Sequence, residues 1–64
     1  MKYVIRNDYR NTFYMGGGEW TTEYPDAMKY NDIGIVMRII DEMPIGQGIV
    51  AIENYGLENE KEVY

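Results

Sequence analysis

The sequence predicts an α+β fold: a small antiparallel sheet of about three or four strands, with one helix over about residues 33–43 packed on one face. Three observations predict it. Two short segments near the N-terminus read as extended and are separated by turn-forming residues, the pattern of a hairpin. A later stretch carries helical spacing between a capping acid and a proline. A further β-branched run follows and is closed by a glycine.

Residues 2–7 read as the first strand, with Tyr3 and Ile5 facing one way and Lys2, Val4 and Arg6 the other. Asn7-Asp8-Tyr9-Arg10-Asn11 is rich in residues that tolerate turn conformations, so the chain reverses there. Thr12-Phe13-Tyr14-Met15 is the second strand of a hairpin. Gly16-Gly17-Gly18 interrupts it, since three glycines offer no side chains to pack. Glu19-Trp20-Thr21-Thr22 resumes an extended path. Tyr24-Pro25-Asp26 starts a turn, because the proline disfavours helix at Tyr24 and presets its own φ. Met28-Lys29-Tyr30 is a short extended return.

Asn31 or Asp32 is a good N-cap for the helix, and Pro44 stops it. At about 100° per residue, Gly34, Arg38, Asp41 and Glu42 gather into one polar stripe. Ile33, Ile35, Val36, Met37, Ile39, Ile40 and Met43 fill the rest, an arc of roughly 200°, about twice what one sheet requires. A second subunit is the simplest cover for the surplus. Five of these residues are β-branched, so a buried strand over Ile33–Ile40 is the competing reading. Ile45-Gly46-Gln47-Gly48 reads as a turn, Ile49 to Tyr55 as a late strand, and Gly56 as its close. Residues 1–56 then form a single domain, and 57–64 an acidic C-terminal tail or edge strand.

A chain of 64 residues has room for one domain. Such a domain buries only about 60% of the surface its unfolded chain exposes, and its core supplies about 3–5 kcal/mol. Cysteine, histidine and serine are all absent. That excludes disulfides, thiolate or imidazole metal sites, and Ser–His–Asp or Cys–His catalysis. Arg6 arrives too early for a signal-peptide core, and no apolar run approaches the roughly 20 residues of a membrane span. A cytoplasmic location is therefore expected, with no cofactor and no membrane.

Residues 1–40 carry five acids and five bases; residues 41–64 carry six acids and Lys61 alone, which accounts for the whole net charge of −5. Duplex nucleic acid is not an expected partner, because phosphate neutralisation needs a basic face. A basic protein partner and a merely solvated tail both fit.

Gly16-Gly17-Gly18 is open to two readings. Its amides can cradle a phosphate, with Trp20 or Tyr14 stacking on a base and Arg6 or Arg10 meeting the charge, which makes a nucleotide ligand possible. It lacks the Walker lysine, the GxGxxG spacing and a following helix, and a flexible connection or bulge between strands is the preferred reading. Seven tyrosines and one tryptophan form an aromatic excess. Tyr3, Phe13, Trp20 and Tyr30 are expected in the core. Tyr9, Tyr14, Tyr24, Tyr55 and Tyr64 are harder to bury together, and such residues anchor interfaces. The interface candidates are Ile35, Met37, Ile39 and Tyr55. Asp41-Glu42 and the Glu58/Glu60/Glu62 series lack the spacing of a calcium loop and read as solvated acids. Glu23, Tyr24 and Asp26 are the one close polar cluster and read as turn residues, so no enzyme is expected.

The run Tyr3-Val4-Ile5-Arg6-Asn7, then Phe13-Tyr14-Met15, then Trp20-Thr21 ahead of Asp26 to Asp32, resembles a pattern in small orphan proteins of bacteriophages and prophages. The resemblance covers about residues 2–43 and departs at Gly34 and the helix isoleucines. It implies an accessory phage protein, some of which modify or block host functions, and it carries over no site residue. The expectation is a non-enzymatic interaction protein that self-associates and binds or inhibits a host protein, for example a bacterial defence factor. The alternative is an oligomeric sponge that sequesters a nucleotide signal.

Overall fold

The computed structural model describes residues 2–44 and 48–64. Of the expected turn Ile45-Gly46-Gln47-Gly48, all but Gly48 lies outside the described residues. Five strands form one antiparallel sheet: β1 (Tyr3–Asn7), β2 (Thr12–Gly16), β3 (Glu19–Thr21), β4 (Ile49–Glu53) and β5 (Lys61–Glu62). Their spatial order is β3-β2-β1-β4-β5, with one helix, α1 (Ile33–Asp41), packed against the sheet. The fold is α+β, but three or four strands was too few. The added strand is β5, where the acidic tail pairs with the outer edge of β4 through Ile52↔Glu62 and Glu53↔Lys61.

Strand β1 is central because both its edges find partners. It pairs with β4 along its whole length, from Tyr3↔Glu53 to Asn7↔Ile49, and with β2 at Arg6↔Phe13 and Asn7↔Thr12. The Asn7 side chain builds the reversal between β1 and β2. Its carboxamide oxygen accepts from the Tyr9 amide at 3.0 Å and the Arg10 amide at 3.2 Å, while Asn11 takes φ 56°, which asparagine tolerates. Towards Tyr3 the two strands part, and residues 28–30 fill the seam. Tyr3 and Tyr30 exchange amide-to-carbonyl bonds of 2.8 Å, and the Met28 amide donates to the Tyr14 carbonyl at 3.0 Å.

Residues 33–41 are helix, so the strand reading of Ile33–Ile40 falls. The helix ends at Asp41, short of the expected Met43 and before Pro44 could stop it. Asp32 supplies the N-cap, its side chain accepting from the Gly34 amide at 2.8 Å. Tertiary packing overrides the β-branched propensity: Val36 and Ile40 are buried against Ile5, Ile49 and Ala51 of the sheet. Asp32→Ala should lower stability by about 1 kcal/mol. An unchanged urea midpoint would show that the cap contributes nothing.

The opposite face of the sheet is also covered. Val4, Phe13, Ala27 and Ile52 are buried there, with Tyr24, Val50 and Tyr55 packed on them. The three rings form a cluster: Phe13 meets Tyr24 at 5.6 Å and Tyr55 at 5.0 Å, both edge-on, and Tyr24 meets Tyr55 at 4.6 Å. A short 3-10 turn, Tyr24–Asp26, carries Tyr24 over the sheet. Lys29 holds that turn, its Nζ donating to the carbonyls of Tyr24 at 2.8 Å, Pro25 at 3.1 Å and Ala27 at 2.9 Å. Of the four aromatics expected in the core, Phe13 is buried, while Tyr3, Trp20 and Tyr30 are half-buried.

Strand β4 ends at Glu53, short of the expected Tyr55, because Asn54 turns into the left-handed region at φ 56°. The tail then returns along β4. The Val63 amide donates to the Ala51 carbonyl at 2.8 Å, Val63 packs on the helix-side core, and the Tyr64 hydroxyl donates to the Asp41 carboxylate of α1. That hydrogen bond raises the Tyr64 pKa above its ordinary 10.0, and burial raises that of Tyr30. A raised pKa means tighter proton binding in the folded state. The stabilisation these phenols add is therefore intact below pH 10 and is lost as pH climbs through the raised values. Tyr64→Phe should make the alkaline fall in melting temperature shallower. An identical pH profile would dissociate Tyr64 from that fall.

Candidate functional site

Helix α1 lies over β1 and β4, and beside it Tyr14 and Trp20 of the β2–β3 wing are only half-buried against the helix-side core. Between the wing and the helix runs a groove of about 730 Å³, within the usual size range of ligand sites. Its sheet side presents Tyr14 and Trp20, cross-strand neighbours whose rings lie 5.0 Å apart. Asn7, Arg10, Thr12 and Gly18 lie beside them, Ile39, Glu42, Met43 and Pro44 form the helix side, and Ile49 also lines it. Strand alternation explains the floor: Phe13 is committed to the far face, which leaves Tyr14 facing the groove. The buried Thr12 hydroxyl has no hydrogen-bond partner among the described residues.

The glycines shape this wing. Strand β2 joins β3 through Gly17 and Gly18, with φ of 61° and 82°, the paired positive values a tight two-residue hairpin requires. The register skips between Tyr14 and Gly16, so a bulge precedes the turn. A Cβ at any of the three would meet nothing within 4 Å, so backbone conformation, not room for a ligand, selects glycine here. The Gly18 amide is already engaged, donating to the Tyr14 hydroxyl at 3.0 Å.

The two sets of candidate residues fare differently. Of the nucleotide-binding set, Tyr14, Trp20, Gly18 and Arg10 line one groove, while Gly16 and Gly17 stay in the adjoining hairpin. Arg6 is elsewhere: its guanidinium is bound to Asp8, a hydrogen bond that raises its pKa further. The interface set does not gather. Ile39 walls the groove, and Ile35, one turn earlier, shares its flank and is 49% exposed. Met37 lies on the other flank with Asp41, the residue the tail engages, and is 36% exposed. Tyr55 belongs to the ring cluster on the far face.

Sequence reasoning missed Asn7, Thr12, Glu42, Met43, Pro44 and Ile49 as groove residues. Met43 carried a usable signal, since it sits one turn beyond Ile39 on the same apolar flank. The groove offers apolar area and an aromatic floor. Its charged side chains are Arg10 and Glu42, on opposite walls.

No protein-family model fits the chain, no curated protein is detectably similar to it, and no solved structure resembles it. Among the described residues, no helix is long and apolar enough to cross a membrane, and no three acidic side chains gather as a metal site.

Proposed function

We propose that this is a non-enzymatic interaction protein that holds a partner protein in the groove between α1 and the β2–β3 wing. The observation that carries the reading is the placement of α1 over β1 and β4, which leaves Tyr14, Trp20, Ile39 and Met43 only half-buried around one opening. Half-buried aromatics in a pocket are the usual anchors of protein interfaces. The phage-type resemblance makes the partner a bacterial host protein, such as a defence factor, met in the host cytoplasm. Ile35 and Met37 leave apolar helix surface for contact between copies of the chain.

The test is affinity capture from host lysate with the wild-type chain beside Ile39→Glu and Trp20→Ala variants that retain a cooperative melt. A partner captured by the wild type and lost by both variants supports the reading. A partner retained by both refutes it. Sedimentation of Ile35→Glu tests self-association separately, since an unchanged mass would remove Ile35 from any contact between copies.

The nucleotide sponge is a second reading, favoured by one observation: Tyr14, Trp20, Gly18 and Arg10 do share a groove. The engaged Gly18 amide, the distant Arg6 and the Glu42 carboxylate in the lining all weigh against a phosphate there. Trp20 is the only tryptophan, so its emission reports directly. No change across linear and cyclic nucleotides would eliminate the sponge.

A further inference from the structure

The most exposed large apolar side chain among the described residues stands beside the groove. Tyr9 is 74% exposed, on the reversal between β1 and β2, and the next residue, Arg10, lines the groove. Tyr9 is exposed but held. The Asn7 carboxamide fixes its amide and that of Arg10. Its ring lies over Gly48, where a Cβ would meet it at 2.9 Å. An aromatic ring fixed in an outward position costs little ordering on binding, and tyrosine is a favoured interface anchor.

The groove itself is walled by opposite charges. Neither the Arg10 nor the Glu42 side chain has a hydrogen bond or ion pair among the described residues. A second copy related by a two-fold axis satisfies both at once, since each Arg10 meets the other chain's Glu42 and the patch is its own complement. Repulsion between copies is small at this place. Asp8, beside Tyr9, is already bound to Arg6. Glu58, Glu60 and Glu62 lie with β5, at the opposite end of the sheet from β3.

We infer that the chain forms a two-fold dimer in which Tyr9 of each copy docks in the groove of the other, with Arg10 of each copy paired to its mate's Glu42. Anchor and pocket are neighbours, which makes the exchange reciprocal. Arg10 follows Tyr9, Ile49 follows Gly48 under the Tyr9 ring, and both Arg10 and Ile49 line the groove. An axis at the groove mouth therefore serves both sites. The dimer closes the groove, so mate and partner protein compete for it, and a partner's apparent affinity falls with the fraction of open monomer. That competition rests on the groove-binding reading; the dimer does not.

The experiment is sedimentation equilibrium of the full chain over a dilution series, with Trp20 emission followed across the same range. The wild type should dissociate on dilution, and the emission should change with it. Tyr9→Ala should keep a cooperative melt and weaken the dimer at least about thirtyfold, the cost of losing an interface anchor. Arg10→Glu and Glu42→Arg alone should each weaken it roughly tenfold or more, because two rim pairs turn repulsive. An equimolar mixture of these two variants should dimerise again, since both cross-chain contacts then join opposite charges. A pair within one chain would not be rescued by mixing.

A wild type that stays monomeric to about 1 mM, a Tyr9→Ala variant that dimerises like the wild type, or no rescue in the mixture would each overturn the inference. Lysate capture separates it from the groove reading. Stronger capture by Tyr9→Ala than by the wild type supports both. If the wild type is monomeric and Ile39→Glu still loses the partner, the dimer falls and the groove reading stands. If the dimer behaves as described and Ile39→Glu leaves capture intact, the groove serves the dimer and the partner reading falls.

Discussion

Ile5→Ala is expected to leave a large share of the molecules unfolded at 25 °C. Ile5 is 0% exposed on the central strand, and it packs with Val36 and Ile40 of the helix and with Ile49 and Ala51 of β4. Truncating an isoleucine in such a site costs about 2–5 kcal/mol, because a cavity is added to the lost transfer energy. A domain this small holds only about 3–5 kcal/mol in total. Collapse into the space is resisted because β1 is paired with β4 along its whole length, Ile5 opposite Ala51. Urea titration followed by circular dichroism checks it, with Ile5→Val as the mild control at about 0.5–1.5 kcal/mol. An alanine variant that loses less than about 1 kcal/mol would mean that the helix-side core is not the seat of stability.

Phe13→Ala should be about as damaging, although it acts on the opposite face. Phe13 is 5% exposed and its ring meets both Tyr24 and Tyr55 edge-on. Its removal costs about 3–5 kcal/mol by truncation, and the ring contacts add about 0.5–1.5 kcal/mol each to that face. Phe13→Leu keeps most of the volume and loses the ring geometry, so it should fall in between. The informative comparison is between faces. If Ile5→Ala unfolds the chain and Phe13→Ala does not, the aromatic face is a decoration on a one-sided sheet. If both unfold it, the sheet depends on two cores, each too small to suffice alone.

The parts of this fold that were legible in the sequence are those set by neighbours along the chain. Asn7 and Asn11 mark the first reversal, Asp32 marks the helix start, and the glycine run marks a break between strands, because each acts within a few residues. The second core was not legible. It exists because Tyr24 and Tyr55, far apart in sequence, meet over Phe13, and Lys29 fixes the turn that brings Tyr24 there. Strand β5 was legible only as one of two alternatives, a tail or an edge strand, because Lys61-Glu62 has no apolar alternation and is ordered by the edge of β4 and by Val63 and Tyr64 beyond it.

The same holds for the site. Tyr14, Trp20 and Arg10 could be nominated by residue type, but their meeting with Ile39 depends on which strands the helix covers, and helical periodicity does not specify that. The wide apolar arc was real as a pattern, and part of its surplus goes to the groove wall through Ile39, leaving Ile35 and Met37 outside.

The central position of β1 also sets the order in which the chain can fold. Its pairing with β2 spans a short loop, whereas its pairing with β4 joins Tyr3 to Glu53, a closure that is slow because loop entropy is lost before the contact forms. On the ribosome, the β1–β2–β3 meander can therefore zip up early, but one side of β1 stays unsatisfied until residues 49–53 have been made. During that interval the nascent chain exposes Val4 and Ile5 beside an open row of amides and carbonyls, the kind of surface that chaperones and aggregation compete for. The late strand acts as the latch, and the time spent waiting for it is when this protein is most vulnerable.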